Sequence, residues 1–174
     1  YYSLINHNLI YENEAINRYK INSNLAIKGP KGKDLQELKQ NIVNIKNCEL
    51  KKNSTNIVFS DGNPNSKIMI IGEGPGANED LEGVPFIGKT GELLDKMLLS
   101  INLDRDNVYI TNVVNYRPPE NRSPTEEEMA RYLPYLIKHI EIIDPKILIL
   151  LGSSALNAVI GDEQKISEIR GKWI

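Results

Sequence analysis

The sequence has one cysteine, Cys48, in 174 residues, and a lone cysteine excludes an internal disulfide. It has no apolar run approaching the ~18 residues of a membrane span, and no secretion-signal pattern opens it. A soluble, cytoplasmic protein is the expectation that follows. Charge of one sign is also missing: 21 Lys and Arg stand against 23 Asp and Glu, a net of -2. That balance excludes a molecule coated in basic surface, although a local basic patch is invisible in the sum. There are no internal repeats. An initiator methionine is absent too, and a chain opening on Tyr1 is expected to be a fragment or a processed product.

What is present is ordinary globular composition, 40% hydrophobic and 25% charged, enough for one domain with a proper core. Residues 1–21 mix apolar and polar residues at helical spacing, and NSNLAIKGPKGK (22–33) reads as a linker, so 1–33 is expected to be a peripheral helical arm and 34–174 the folded domain. Asp34 can cap a helix running to about Ile45, with Leu35, Leu38, Ile42 and Ile45 as its apolar stripe. Three short apolar runs, KIMIIG (67–72), NVYIT (107–111) and KILILLG (146–152), predict buried strands of a parallel sheet. Helical patterns separate them. GELLDKMLLSI (91–101) places Leu94, Met97, Leu98 and Ile101 on one face. The segment 123–143 opens with Pro124 in a first-turn position and a capping box, Ser123 with Glu126 or Thr125 with Glu128, and Pro134 is expected to kink it. SSALNAVIG (153–161) is a short helix closed by Gly161. This alternation predicts an α/β fold, a three-layer α/β/α sandwich around a central, mainly parallel sheet.

GVPFIGKT (83–90) satisfies the Walker A pattern of a phosphate-binding loop. The pattern works when the loop leaves a strand, so that successive N–H groups curl around phosphates before a helix begins. Here EGPGANEDLE separates it from the preceding strand, Pro85 removes a donor, and no apolar run ends in a magnesium-holding Asp. Lys89 and Thr90 are more simply the first turn of a helix, and no ATP binding is expected. Ligands of open α/β sheets gather outside the carboxyl ends of the strands. The segments there are GEGPGANED, Asn112 to Arg122, and GSSA. The first carries Glu73, Glu79 and Asp80, which would repel a bare triphosphate. Arg117 and Arg122 suit phosphodiester contacts, or are ordinary surface charge.

Taken together, GEGPGANEDLEGVPFIGKTGELLD, VYITNVVNYRPPENRSPTEEE, LPYL, IEIIDPKILILLGSSA and IRGKW, in order from about Asn41 to Ile174, resemble the uracil-DNA glycosylase superfamily, specifically its family 4 bacterial and archaeal type. The resemblance implies hydrolysis of the N-glycosidic bond of uracil in DNA, with an abasic site as product, the first step of base-excision repair. It implies that Phe86 stacks on a flipped uracil and that Asn112 reads it. An amide oxygen can accept from uracil N3–H while its NH₂ donates to O4, and cytosine presents the reverse pattern. Without the surrounding motif, Phe86 would read as a core aromatic and Asn112 as a turn former. Glu73 and Gly74 match the motif beside the sugar and water, and Glu79 and Asn121 match a carboxylate and an amide around the site. Arg117, Arg122 and Ser153 are assigned to the DNA backbone. The implied partner is uracil-containing DNA, single- or double-stranded, bound by a monomer without ATP or membrane.

Two departures accompany the resemblance. The family usually binds a 4Fe–4S cluster through four cysteines. Cys48 fits the second of those positions, but Ile45, Tyr116 and Tyr132 occupy the others, so loss of the cluster is expected. Family members also continue past an IRGKW-like strand to a His-Pro segment whose histidine donates to the uracil oxygen, whereas this chain stops at Ile174. Neither His7 nor His139 fits that role, and His139 is expected on a surface or interface. The chain is therefore expected to be C-terminally incomplete and weakly active or inactive. A non-catalytic nucleic-acid-binding relative is the competing reading, with a small nucleotide-binding protein third.

Overall fold

The computed structural model describes residues 30–161 and 165–174. The expected arm, most of the linker and His7 lie outside them. Four strands, β1 (Asp61–Gly62), β2 (Ile68–Gly72), β3 (Tyr109–Asn112) and β4 (Ile147–Leu150), form one sheet in the order β1-β3-β2-β4. β2 pairs in parallel with both β3 and β4, as the three apolar runs predict, while β1 joins β3 antiparallel. β1 spans two residues and leaves no periodic pattern to read.

Successive side chains of a strand point to opposite faces, and β2 buries both sets. Met69 and Ile71 join Tyr109 in a core with Leu35, Leu38 and Ile42 of α1 (Pro30–Val43) and Tyr132, Leu136 and Ile143 of α5 (Glu126–Ile143). Ile70 and Ile110 face the other way, against Leu94 and Leu98 of α4 (Lys89–Ser100). These are the three layers expected. Between β2 and β3 the chain crosses one face through α4. Between β3 and β4 it crosses the other face through α5 and lands on the opposite edge of β2. The two connections therefore part at the carboxyl end of β2, and such a parting opens a crevice in doubly wound sheets.

Several local details differ from expectation. Among the described residues α1 already runs from Pro30, so Asp34 lies inside the helix and does not cap it. α4 buries Gly91, Leu94 and Leu98, leaving Met97 58% and Ile101 61% exposed. Gly91 is pressed against the backbone of Phe86, so the inward face is centred one row away from the expected one. At α5 the capping box is the Thr125 and Glu128 pair, with Thr125 Oγ1 accepting from the Glu128 N–H at 3.2 Å and Glu128 accepting from the Thr125 N–H at 2.8 Å. Pro134 lies inside that helix. α6 (Ser153–Ile160) ends at Gly161, as expected. A single helical turn, α7 (Ile166–Ile169), followed by a turn stands where the IRGKW strand was expected. Two further short helices are α2 (Glu49–Lys52) and α3 (Ala77–Glu82). Among the described residues no helix is long and apolar enough to cross a membrane.

His139 is not a surface residue. It is 2% exposed, stacks on Phe59 with ring centroids 4.6 Å apart, and places Nε2 2.7 Å from Tyr109 Oη. Burial pulls its pKa down to about 3, so the folded protein keeps the ring neutral while the unfolded chain takes up a proton below about pH 6.5. Stability from this residue is then complete above about pH 6.5 and lost as the pH falls toward 3. We predict from urea unfolding that the wild type loses about 3 kcal/mol more than His139→Gln between pH 7 and pH 4, with equal losses contradicting the assignment.

Candidate active site

Gly72 and Asn112 are register partners at the carboxyl ends of β2 and β3. A Cβ on Gly72 would lie 2.4 Å from Phe86 Cζ and 2.6 Å from Asn112 Oδ1. The bare Cα is therefore what lets the Phe86 ring and the Asn112 carboxamide share this corner. Asn112 is 3% exposed, and among the described residues its Oδ1 is a buried acceptor with no hydrogen-bond partner. Leaving such an atom unpaired costs about 1–3 kcal/mol. An orphan of this kind at the mouth of a sheet crevice marks a place where a ligand donor belongs.

Phe86 sits at φ +56°, the left-handed region, which costs a non-glycine residue roughly 1–2 kcal/mol. Its surroundings over-determine that conformation. Glu79 Oε1 accepts from the N–H groups of Ile87 at 3.0 Å and Gly88 at 2.8 Å, and Oε2 accepts from Gly76 at 3.1 Å. Arg105, in the 3₁₀ turn Arg105–Asn107, donates to the carbonyls of Pro85 and Phe86. A Cβ on Gly91 would lie 1.7 Å from the Phe86 carbonyl oxygen, so only glycine admits the loop this close to α4. Gly83, the first residue of the Walker A match, is the left-handed cap of α3 at φ +73°. The element leading directly into the match is the helix α3 and not a strand, and Lys89 and Thr90 are exposed residues of the first turn of α4.

Around this corner lies a cavity of about 210 Å³. Sites for drug-sized ligands run to roughly 300–1,000 Å³, so it has room for a single small heterocycle. Glu73, Gly74, Glu79, Phe86, Asn112, Asn121 and Arg122 all line it, joined by Gly76, Thr90, Pro118 and Pro124, which the sequence does not assign to a site. The two carboxylates differ. Glu79 is 6% exposed with both oxygens committed to backbone N–H groups. Glu73 is half-buried and accepts from the hydroxyl of Ser154 in the first turn of α6. Ser153 is exposed and does not line the cavity. In GSSA the two serines are the first residues of α6, and only Ser154 reaches Glu73.

The arginines are also engaged. Arg117 does not line the cavity, and its Nε donates to Asn121 Oδ1 at 2.7 Å, fixing that amide on the far wall. Arg122 makes a two-pronged bond to Glu128, 2.7 Å on each prong, which holds the Glu128 carboxyl below the usual carboxylate range. A phosphate reaching Arg122 would have to share it with Glu128.

Ile45, Cys48, Tyr116 and Tyr132 meet in the core between α1 and α5. Cys48 Sγ lies 3.2 Å from Tyr132 Oη, and burial pushes both phenols up, keeping them neutral. An iron–sulfur cluster needs four donors of thiolate type. One thiol, two neutral phenols and an aliphatic side chain do not supply them. Among the described residues no group of three or more His, Cys, Asp or Glu converges as a metal site.

The family model described as the uracil DNA glycosylase superfamily matches residues 59–174. A type-4 uracil-DNA glycosylase of Sulfurisphaera tokodaii is 43% identical over 143 residues, covering 79% of this chain and 65% of that protein. The type-4 enzyme of Archaeoglobus fulgidus is 41% identical over 79% of this chain and 71% of its own length, and that of Thermotoga maritima 44% identical over 73% and 67%. The chain thus spans about two thirds of the length of these relatives.

Proposed function

The chain belongs to the uracil DNA glycosylase superfamily, and from that premise we propose that it excises uracil from DNA by hydrolysing the N-glycosidic bond, leaving an abasic site for base-excision repair. The observation that carries the reading is the unpartnered Asn112 Oδ1, buried beside the Phe86 ring in a cavity sized for one heterocycle. Uracil offers what that atom lacks. Its N3–H donates to Oδ1 while its O4 accepts from the amide NH₂, and cytosine presents the opposite pattern. A base stacked in a duplex cannot enter such a corner, so the substrate nucleotide is single-stranded or flipped out, its face covered by Phe86.

As the glycosidic bond breaks, positive charge grows on the sugar and negative charge on the departing base. We assign Glu73, which lines the cavity and is steadied by Ser154, to the sugar cation and the attacking water. Glu79, with its oxygens spent on three N–H groups, acts by holding the loops together. Gly74 leaves the first loop thin: a Cβ there would lie 2.8 Å from Val114 Cγ2. Asn121, held by Arg117, forms the opposite wall. Arg117, Arg122 and Ser153 are assigned to the DNA backbone around the flipped nucleotide, with Arg122 exchanging Glu128 for phosphate. The protein works as a cytoplasmic monomer, without ATP.

The test is an end-labelled oligonucleotide containing one uracil, incubated with the full gene product and then treated with alkali. Cleavage at uracil and not at thymine or cytosine is expected, and Asn112→Ala should slow single-turnover excision by about 10²–10³-fold. An uncut strand, both single and paired, would overturn the reading.

We also propose that no 4Fe–4S cluster is held, on the strength of the donor set at Ile45, Cys48, Tyr116 and Tyr132. Purified protein should then contain no stoichiometric iron or acid-labile sulfide, and a chelator should leave its unfolding midpoint unchanged. A broad visible absorption band with iron in stoichiometric amount would contradict it.

A further inference from the structure

We propose that Arg105 is a positioning residue for Phe86, anchored by Asp61 and Asp95, and that it sets the ring against which the base stacks. The proposal rests on the reading of Phe86 as the stacking platform. A guanidinium presents five N–H donors in a rigid planar fork. Here Nε donates to Asp95 Oδ1 at 2.8 Å, Nη1 to Asp61 Oδ2 at 2.7 Å and to the Pro85 carbonyl at 3.1 Å, and Nη2 to the Phe86 carbonyl. Two carboxylates exceed what one positive charge needs for neutralisation. Their geometric effect is to fix the plane of the fork, and the remaining prongs then meet two consecutive carbonyls.

Those carbonyls belong to the two peptide planes that flank Phe86. To leave the left-handed region, Phe86 must rotate one of these planes. The Pro85 carbonyl is held by Arg105. The plane joining Phe86 to Ile87 is held at both ends, its oxygen by Arg105 and its N–H by Glu79. The fold invests further in this contact. β1 brings Asp61 into place, and its Gly62, at φ +89°, allows the approach: a Cβ there would lie 2.2 Å from the Val108 carbonyl oxygen and 2.8 Å from that of Arg105. Neither Arg105 nor its two carboxylates line the cavity, so any influence on the base passes through the loop.

The experiment is a double-mutant cycle in the full gene product, using Arg105→Lys, Phe86→Ala and the pair. The readout is affinity for an oligonucleotide bearing 2′-fluoro-2′-deoxyuridine, which resists glycosidic cleavage, over the same strand bearing thymidine. Lysine keeps the charge between Asp61 and Asp95 but cannot bridge both carbonyls. Arg105→Lys should lower the uracil preference about tenfold or more in the wild-type background, and less than about twofold in the Phe86→Ala background. Equal losses in both backgrounds, or an unchanged preference, would overturn the role of Arg105. If Arg105→Lys does not fold, Asp61→Asn replaces it, with a smaller loss expected and the same dependence on Phe86; a loss independent of Phe86 would again overturn the proposal. A wild-type protein with no uracil preference would instead overturn the proposed function itself, separating the two failures.

Discussion

The peptide plane between Phe86 and Ile87 accepts from Arg105 on one side and donates to Glu79 on the other. Much of the architecture converges on that plane. Glu79 belongs to α3, directly after the loop leaving β2; Arg105 precedes β3; Asp95 and Gly91 belong to α4, and Asp61 to β1. α3, α4, the turn before β3 and β1 thus each contribute a group to holding one aromatic residue in a conformation costing about 1–2 kcal/mol. The cost is offset locally by charge-assisted hydrogen bonds, the stronger kind. Left-handed backbone held in place by its surroundings, at Phe86 and again at Asn121 across the cavity, is characteristic of a site built for a ligand.

The opposite half of the sandwich solves a different problem. Cys48, on the loop between α1 and α2, packs against Tyr132 of α5 and joins Ile45 and Tyr116 in the main core. Arg131 fastens the same loop from outside, donating to the carbonyls of Lys46 and Asn47 at 2.7 Å each. Lys31 reaches from α1 to the last carbonyl of α5, that of Ile143, at 2.7 Å, where a positive charge also suits the helix dipole. Packing and hydrogen bonds to otherwise unpaired carbonyls hold α1 and α2 to the sheet. Tyr116 begins the segment that carries Arg117 and Asn121, so this corner also supports the far wall of the cavity.

The sheet and its helices were legible because burial on both faces leaves continuous apolar runs at β2 and β3, while β4, expected to be buried, is an edge strand whose residues are half-buried yet keeps an apolar run. The candidate site was legible mainly as ordered motifs: Glu73, Phe86, Asn112 and Asn121 do line one cavity. What escaped was contact between segments distant in sequence. Arg105 lies 19 residues from the Phe86 carbonyl it holds, and Ser154 lies 81 residues from Glu73. Neither has a local pattern to reveal it. The resemblance places the Glu79 carboxylate at the site, where it does line the cavity, but a sequence cannot display the three N–H groups that its oxygens accept from. Helical periodicity alone points Met97 and Ile101 inward, because it cannot show that Gly91 faces the loop. His139, one polar residue on an amphipathic helix, gave no sign that Phe59 and Tyr109 enclose it.

A clamped Phe86 and an unpaired Asn112 oxygen share one corner of the cavity, which we propose takes uracil. This is tested most directly by determining the structure of the protein with free uracil bound. The uracil ring is expected to lie flat on Phe86, with N3 within hydrogen-bond distance of Asn112 Oδ1 and φ of Phe86 still in the left-handed region. Uracil bound elsewhere, or bound here only after Phe86 has relaxed to an ordinary conformation and released Arg105, would contradict it.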